Sequence, residues 1–296
     1  MTTTIENFVP SDIDVAIVTF RGEELVRRCL ASLEEVVAAG QPLNVWVVDN
    51  ASDDGTPQMV AREFGFATLV ENSENRGFAA ATNQALRLGS APHVLVLNPD
   101  AYIDPETLGP LLSVLEAEPR VAAIGPSLLT ADGTPDHAAK RSFPTVRGAL
   151  SYFSGLDRLV PALRQYATTD LGAGEVDAIN GAFMLMRRDA LEAVGLFDEG
   201  YWMYMEDLDL CKRLWQDGWT IRFEPESVAW HDKGGSAGAI RSPRLNYAFH
   251  YGMYRFYRKW EAPGRHAIAN LAVYAGIGLK LATSLLRGAV ARLLSR

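Results

Sequence analysis

An α/β fold built on a doubly wound, Rossmann-like sheet is predicted by three observations. Short, continuously apolar runs alternate with amphipathic stretches of helical period from Asp14 to Gly125. This is the pattern of strands buried on both faces and joined by crossover helices. Those runs end in polar clusters, where an open α/β sheet binds its ligands. Composition agrees: 296 residues, 48% hydrophobic and 22% charged, suffice for a substantial core in one large domain or two ordinary ones.

The elements follow in order. Asp14 to Phe20 (DVAIVTF) reads as the first strand, and Glu23 to Ala39 as an amphipathic helix stopped by Gly40 and Pro42. Leu43 to Val48 is the second strand, leading into the polar run Asp49 to Thr56. Thr56 is expected to cap a helix from Pro57 to Phe64, with Pro57 at its first position. Ala67–Val70, Val94–Leu97 and Val121–Gly125 give three more strands, separated by helices over Ala79–Leu88 and Pro105–Glu118. Pro99 ends the fourth strand, because proline has no N–H to donate and disfavours helix at Asn98. Ala131 to Thr134 reads as a hairpin turn. Ser142 to Gly174 is irregular, as a lid or binding segment is. An apolar run follows at Ala178–Met186, then helices at Arg188–Val194 and Glu206–Gln216, then short strands at Gly218–Phe223 and Val228–Trp230. From Arg241 the chain is helical and aromatic, and Pro263-Gly264 breaks it before a last helix.

Asp49, Asn98/Asp100 and His231 all stand at strand ends, and such ends converge on one crevice in a doubly wound sheet. No G-x-G-x-x-G follows the first strand and no G-x-x-x-x-G-K-[ST] occurs, which argues against a nicotinamide enzyme and a P-loop NTPase. What remains is a metal-diphosphate site built from side chains. Carboxylate and carbonyl oxygens suit Mg²⁺ or Mn²⁺, and an imidazole tilts the choice towards Mn²⁺. Glu206 and Asp207 at a helix start answer either to the helix dipole or to catalysis, and the aromatic run Tyr201–Met205 just before them favours catalysis. Asp209 and Arg213, at i,i+4, read as a surface ion pair. Asp49 also fits a turn former.

The segments VVDNASDDGT (47–56), ENRGFAAATN (74–83), LVLNPDA (95–101), NGAFMLMRR (180–188) and FDEGYWMYMEDLDLCKR (197–213), with the later His231, resemble family 2 glycosyltransferases of the GT-A fold. The resemblance runs from about Val15 to Gly235, points to the bacterial rhamnosyltransferase-like group and implies a GT-A, Rossmann-like mixed sheet, followed by a helical C-terminal extension. It implies nucleotide-sugar contacts from Thr19, Asp49, Arg76, Asn83, Asn98 and Asp100. It implies Mn²⁺ or Mg²⁺ held by Asp100 and His231, and Asp207 as general base with Glu206 beside it. Gly181, Ala182, Trp202 and Tyr204 would meet the acceptor or the transferred sugar. The reaction implied is an inverting, metal-dependent transfer from a nucleotide-sugar, with dTDP-β-L-rhamnose favoured over a UDP- or GDP-sugar. The acceptor would be a hydroxyl of a cell-envelope glycan, in this group often linked to polyprenyl diphosphate. Two departures stand out. Asn98 replaces the first acid of the D-x-D motif, so metal binding should be weak until the donor's diphosphate arrives. Thr19-Phe20 stands where the family more often has Tyr-Asn. A nucleotidyltransferase would need a Gly-rich basic loop after the first strand, and here there is only Arg21-Gly22. A non-catalytic binding or scaffold protein of the same fold is the other alternative.

Two units are expected, a GT-A domain over residues 1–240 and a basic helical extension over 241–296. The net charge of −8 argues against nucleic acid as a partner. It hides an asymmetry: from Arg241 onward there are ten Lys/Arg and one acid, Glu261, against 18 basic and 35 acidic residues before it. Such a tail suits an anionic membrane surface or, equally, a homo-oligomer contact. On a helical wheel Lys280 and Arg287 fall near Arg265, and Arg292 does not. No uncharged run reaches spanning length, because Lys280 interrupts the run from Ala267 to Leu279. Two cysteines without metal-ligand spacing and a polar start without signal-peptide character predict a cytoplasmic enzyme, peripheral on the inner face of the plasma membrane.

Overall fold

The structure is a computed structural model that describes residues 11–145, 172–232 and 242–294. In chain order its elements are β1 (Ile13–Thr19), α1 (Glu23–Ala38), β2 (Asn44–Asp49), α2 (Thr56–Glu63), β3 (Ala67–Glu71), α3 (Phe78–Leu88), β4 (His93–Leu97), β5 (Ala101–Tyr102), α4 (Leu108–Ala117), β6 (Val121–Leu129), β7 (Lys140–Arg141), β8 (Gly174–Glu175), β9 (Ala178–Ile179) and β10 (Phe183–Arg187). Then come α5 (Arg188–Ala193), α6 (Glu206–Gln216), β11 (Thr220–His231), α7 (Pro243–Phe256), a π-helical turn (Tyr257–Glu261) and α8 (Ala267–Leu294).

The main sheet runs β3-β2-β1-β4-β10-β6-β11-β5, with β8 added on β11. Its first half is parallel, as the alternation of strands and helices predicts. The second half is mixed: β10 inserts antiparallel between β4 and β6, and β5 pairs antiparallel with the end of β11. Alternation along each strand feeds two cores. Val15, Ile17, Leu95 and Leu97 face α1, α2 and α4 through Leu30, Leu33, Met59 and Leu111. Ala16, Val18, Val94 and Val96 face α3 and α6 through Ala81, Ala85, Leu208 and Cys211. Burial on both faces is why these strands read as unbroken apolar runs. Both cysteines are buried free thiols, as the sequence suggests.

Several elements differ from the sequence reading. The α2 N-cap is Gly55, in left-handed conformation at φ 84°, and Thr56 is the first helical residue. The two short strands expected at 218–230 are one strand, β11, whose register against β6 shifts between Glu224 and Val228. Asp209 and Arg213 do pair, at 2.9 Å, but not on the surface, because Asp209 is fully buried. Asp209 also accepts from Tyr201 Oη, Lys259 Nζ and Trp260 Nε1 at 3.2, 3.0 and 2.9 Å. Together with Arg255 and Lys259 on Asp198, this network fastens the C-terminal segment to α6. The boundary drawn at residue 240 and the centre of the irregular segment 142–174 lie outside the described residues. The last helix is continuous through Lys280, and 267–293 is long and apolar enough to cross a membrane by length and composition.

Candidate active site

Strand register assembles one end of the crevice. Pairing of β5 with β11 sets Ala101 against His231 and Tyr102 against Trp230, with Tyr102 and Trp230 stacked at 5.4 Å. His231 Nε2 therefore comes to lie 3.4 Å from Asp100 Oδ1. Behind it, His231 Nδ1 faces Asp136 Oδ2 at 3.6 Å. Sequence reasoning missed Asp136, although the hairpin turn that delivers it was legible at 131–134. Burial works to lower the His231 pKa, but the carboxylates of Asp100 and Asp136 dominate and push it up to about 9. Among the described residues no group of three or more His, Cys, Asp or Glu side chains could hold a metal. Asp100 and His231 supply one hard oxygen and one imidazole nitrogen. That donor set fits Mn²⁺ or Mg²⁺ only when substrate phosphate oxygens complete the shell.

A helix N-terminus builds the other end. Tyr204 and Met205 both have φ of 72°, a conformation that costs a non-glycine residue roughly 1–2 kcal/mol and tends to persist at functional sites. This turn delivers Glu206 and Asp207 to the start of α6, both buried. Asp207 Oδ2 is ion-paired with Arg141 Nη2 and accepts Gly181 N–H at 2.9 Å, while Oδ1 accepts Leu208 N–H at 2.8 Å. A Cβ at Gly181 would stand 3.1 Å from Asp207 Oδ2. Burial first, then the neighbouring Asp207 charge, pushes the Glu206 pKa up to about 8, and Glu206 Oε2 is buried without a hydrogen-bond partner. The acidic pair thus divides into a protonated Glu206 and an Asp207 whose charge faces Arg141. Arg141 was not singled out in the sequence, and its place in RSFP carries no pattern that would have revealed it.

The two ends are joined by the segment 180–182. Gly181 binds Asp207, and Ala182 O accepts Asn98 N–H at 2.9 Å. Asn98 is half-buried at the strand end, beside Asp100. Thr19 and Asp49 are register partners at the ends of β1 and β2. Thr19 is fully buried, so its side chain supports the floor rather than reaching a nucleotide. Asp49 Oδ2 accepts Ser52 N–H at 2.8 Å, and its Oδ1 is buried with no partner. Arg76 is exposed at the rim, and its N–H reaches Asn50 Oδ1 at 3.4 Å. The structure does not bring Asn83 to the crevice surface. Its amide is buried and tied to Phe197 O and Phe197 N at 2.8 and 3.0 Å, fixing the loop that precedes Tyr201. Trp202 lies over Gly77, where a Cβ would come within 2.4 Å of the Trp202 carbonyl oxygen. One face of its ring is covered by Arg244 at 4.1 Å, and Tyr204 sits edge-on to Phe249 of α7. The aromatic wall is therefore shared between the acidic-pair segment and the tail.

A mixed sheet with a parallel half, a buried carboxylate at the end of β2, a strand-end Asp–His pair and a helix-start acidic pair is the arrangement of a GT-A-type glycosyltransferase. The chain belongs to glycosyl transferase family 2, whose family model matches residues 14–195. It is 32% identical over 253 residues, 81% of each chain, to the N-acetylglucosaminyl-diphospho-decaprenol L-rhamnosyltransferase of Mycobacterium tuberculosis. Among solved structures it resembles a mannosyltransferase from Pyrobaculum calidifontis in complex with GDP-Man and Mn²⁺, with a TM-score of 0.56 at 22% identity, covering 96% of this chain and 76% of that one. S. aureus TarS is similar in fold, with a TM-score of 0.57 at 16% identity, covering 90% and 70%.

Proposed function

We propose that this glycosyltransferase moves L-rhamnose from dTDP-β-L-rhamnose, with inversion, onto a hydroxyl of a polyprenyl-diphosphate-linked sugar in cell-envelope synthesis. The observation that carries the reading is the joining of Asp100–His231 to Glu206–Asp207 through 180–182. The likeness to the mycobacterial enzyme supports the choice of transferred sugar and of a polyprenyl-diphosphate-linked acceptor.

In this reading Asp100 and His231 hold Mn²⁺ or Mg²⁺, which when bound offsets charge growing on the departing nucleoside diphosphate. Asp49 Oδ1, buried and unpaired, accepts a hydrogen bond from the base or ribose. Asp207 has three protein hydrogens on its two oxygens, which leaves acceptor capacity for one hydroxyl proton. It takes that proton as the acceptor oxygen bonds to the anomeric carbon and the carbon–oxygen bond to the diphosphate breaks. One displacement converts the β-linked donor into an α-L-rhamnoside. Asp207→Asn should cut transfer by about 10²–10⁴-fold while leaving donor binding nearly intact. Unchanged turnover would remove Asp207 as base. A calorimetric screen of dTDP-, UDP- and GDP-sugars with each metal tests the donor, and a preference for UDP or GDP would overturn that part.

The tail supports an acceptor held at a membrane. Ile268, Leu279, Leu286, Val290 and Leu293 are 54–72% exposed and fall within about 60° of arc on α8. Lys280 and Arg287 flank them, and α8 contains no acid. Its other edge packs on α7, where Ser284 Oγ donates to Asn246 Oδ1 at 2.8 Å. We read this as a helix lying in the interface of an anionic cytoplasmic leaflet rather than crossing it. Binding to phosphatidylglycerol vesicles should fall as salt rises, and absence of binding at low salt would favour self-association through the same face.

A further inference from the structure

We propose that Asp136 is a positioning residue of the metal site, holding the His231 ring in the tautomer and orientation that present Nε2 beside Asp100. The inference rests on the reading of Asp100 and His231 as metal ligands. It begins with the hairpin after β6. Thr130 and Thr134 close the turn, Leu129 bridges to Pro135, and Asp136 N–H donates to Leu128 O at 2.7 Å. On its opposite side, β6 sets Leu128 and Leu129 against Ala229 and Trp230 of β11. Asp136 is therefore delivered, only 2% exposed, to the level at which β11 ends in His231.

The two carboxylate oxygens of Asp136 do different things. Oδ1 accepts Ala138 N–H at 2.7 Å, a local turn bond. Oδ2 stands 3.6 Å from His231 Nδ1, while the far ring nitrogen, Nε2, stands 3.4 Å from Asp100 Oδ1. A turn needs only Oδ1, and asparagine would serve it equally well. Without a cation both ring nitrogens face a carboxylate; with a cation at Asp100 and the Nε2 lone pair the ring keeps only Nδ1–H, and Asp136 Oδ2 is placed to accept it. Ligating histidines are oriented by outer carboxylates in this way, and removal of such a partner typically costs 10–100-fold in metal affinity.

Asp136→Asn separates the two roles. It keeps the Oδ1 bond to Ala138 but sets an NH₂ group against Nδ1, which stabilises the tautomer protonated at Nε2, where no metal can bind. The expected result is Mn²⁺ affinity about 10–100-fold weaker, read by paramagnetic resonance titration with dTDP present, with an unchanged circular dichroism spectrum. A second readout uses protein with dTDP and just enough Mg²⁺ to saturate the wild type. Nitrogen NMR should show His231 protonated at Nδ1 and not at Nε2 in the wild type, and protonated at Nε2 in Asp136→Asn. His231→Gln identifies the resonance among the five histidines. Wild-type Mn²⁺ affinity in Asp136→Asn, or an Nε2-protonated ring in the wild type, overturns the proposal. His231→Ala, titrated alongside, tells this failure from that of the metal reading. If it binds Mn²⁺ as the wild type does, the ligand assignment itself is wrong.

Discussion

The two ends of the crevice are built by opposite means. At the Asp100–His231 end, strands set the geometry: β5 and β11 pair antiparallel, and register alone places carboxylate and imidazole together. As the proposed metal site it would be incomplete, two side chains that need phosphate oxygens to fill the shell. At the Glu206–Asp207 end, a strained turn and a helix start do the placing, and Asp207 is already held by Arg141, Gly181 and Leu208. The lesson is a division of labour. In the proposed reading, donor binding would finish the first end, whereas the second is held in place before any substrate arrives and would have only to admit an acceptor hydroxyl.

Three experiments would break or sharpen that contrast. The largest effect is expected for Asp100→Ala, which should lower transfer by about 10³-fold, since charge compensation at the diphosphate is worth several kcal/mol. It should leave folding unchanged, because the residue lies at a strand end. Full-rate transfer would remove the strand-built end from the chemistry. Next comes Arg141→Met, which leaves Asp207 buried without its ion partner. The cost should be about 3 kcal/mol of stability in a urea titration, and an unaltered midpoint would show that Asp207 is less firmly held than its contacts imply. The smallest effect is on pH dependence. The folded chain raises His231 from 6.5 to about 9 and Glu206 from 4.5 to about 8. Both groups therefore bind protons more tightly folded than unfolded. Their stabilisation is present in full below the ordinary values and is lost as pH rises through the raised ones. The thermal midpoint of the metal-free protein should fall between about pH 4.5 and 9. Glu206→Gln should flatten the lower part of that fall and His231→Gln the upper part.

Most of the parallel half-sheet was legible because each strand is buried on both faces, which leaves an apolar run that composition cannot hide. The places of Asp49, Asp100 and His231 at strand ends and of Asp207 at a helix start were legible because such ends are marked by local residue types. The burial of Thr19 and Asn83 was not legible, because they share those local marks. Whether a side chain turns into the crevice or into the packing beneath it depends on residues a hundred positions away, as the bonds from Asn83 to Phe197 show. Asp209 misled for the same reason. The i,i+4 spacing to Arg213 was right, but burial came from Trp260 and Lys259 of the tail.

The sequence by itself determined the alternation of strands and helices, the polar strand ends, the acidic pair and the charge contrast between body and tail. All of these are periodicities or local compositions, recorded within a dozen residues of themselves. Only the tertiary structure decided that β10 runs antiparallel through the middle of the sheet, that Asp136 stands behind His231, and that Arg141 meets Asp207. Those are pairings between distant segments. They are selected by strand register and by the need to pair buried charges, and neither leaves a trace in the local spacing of residues.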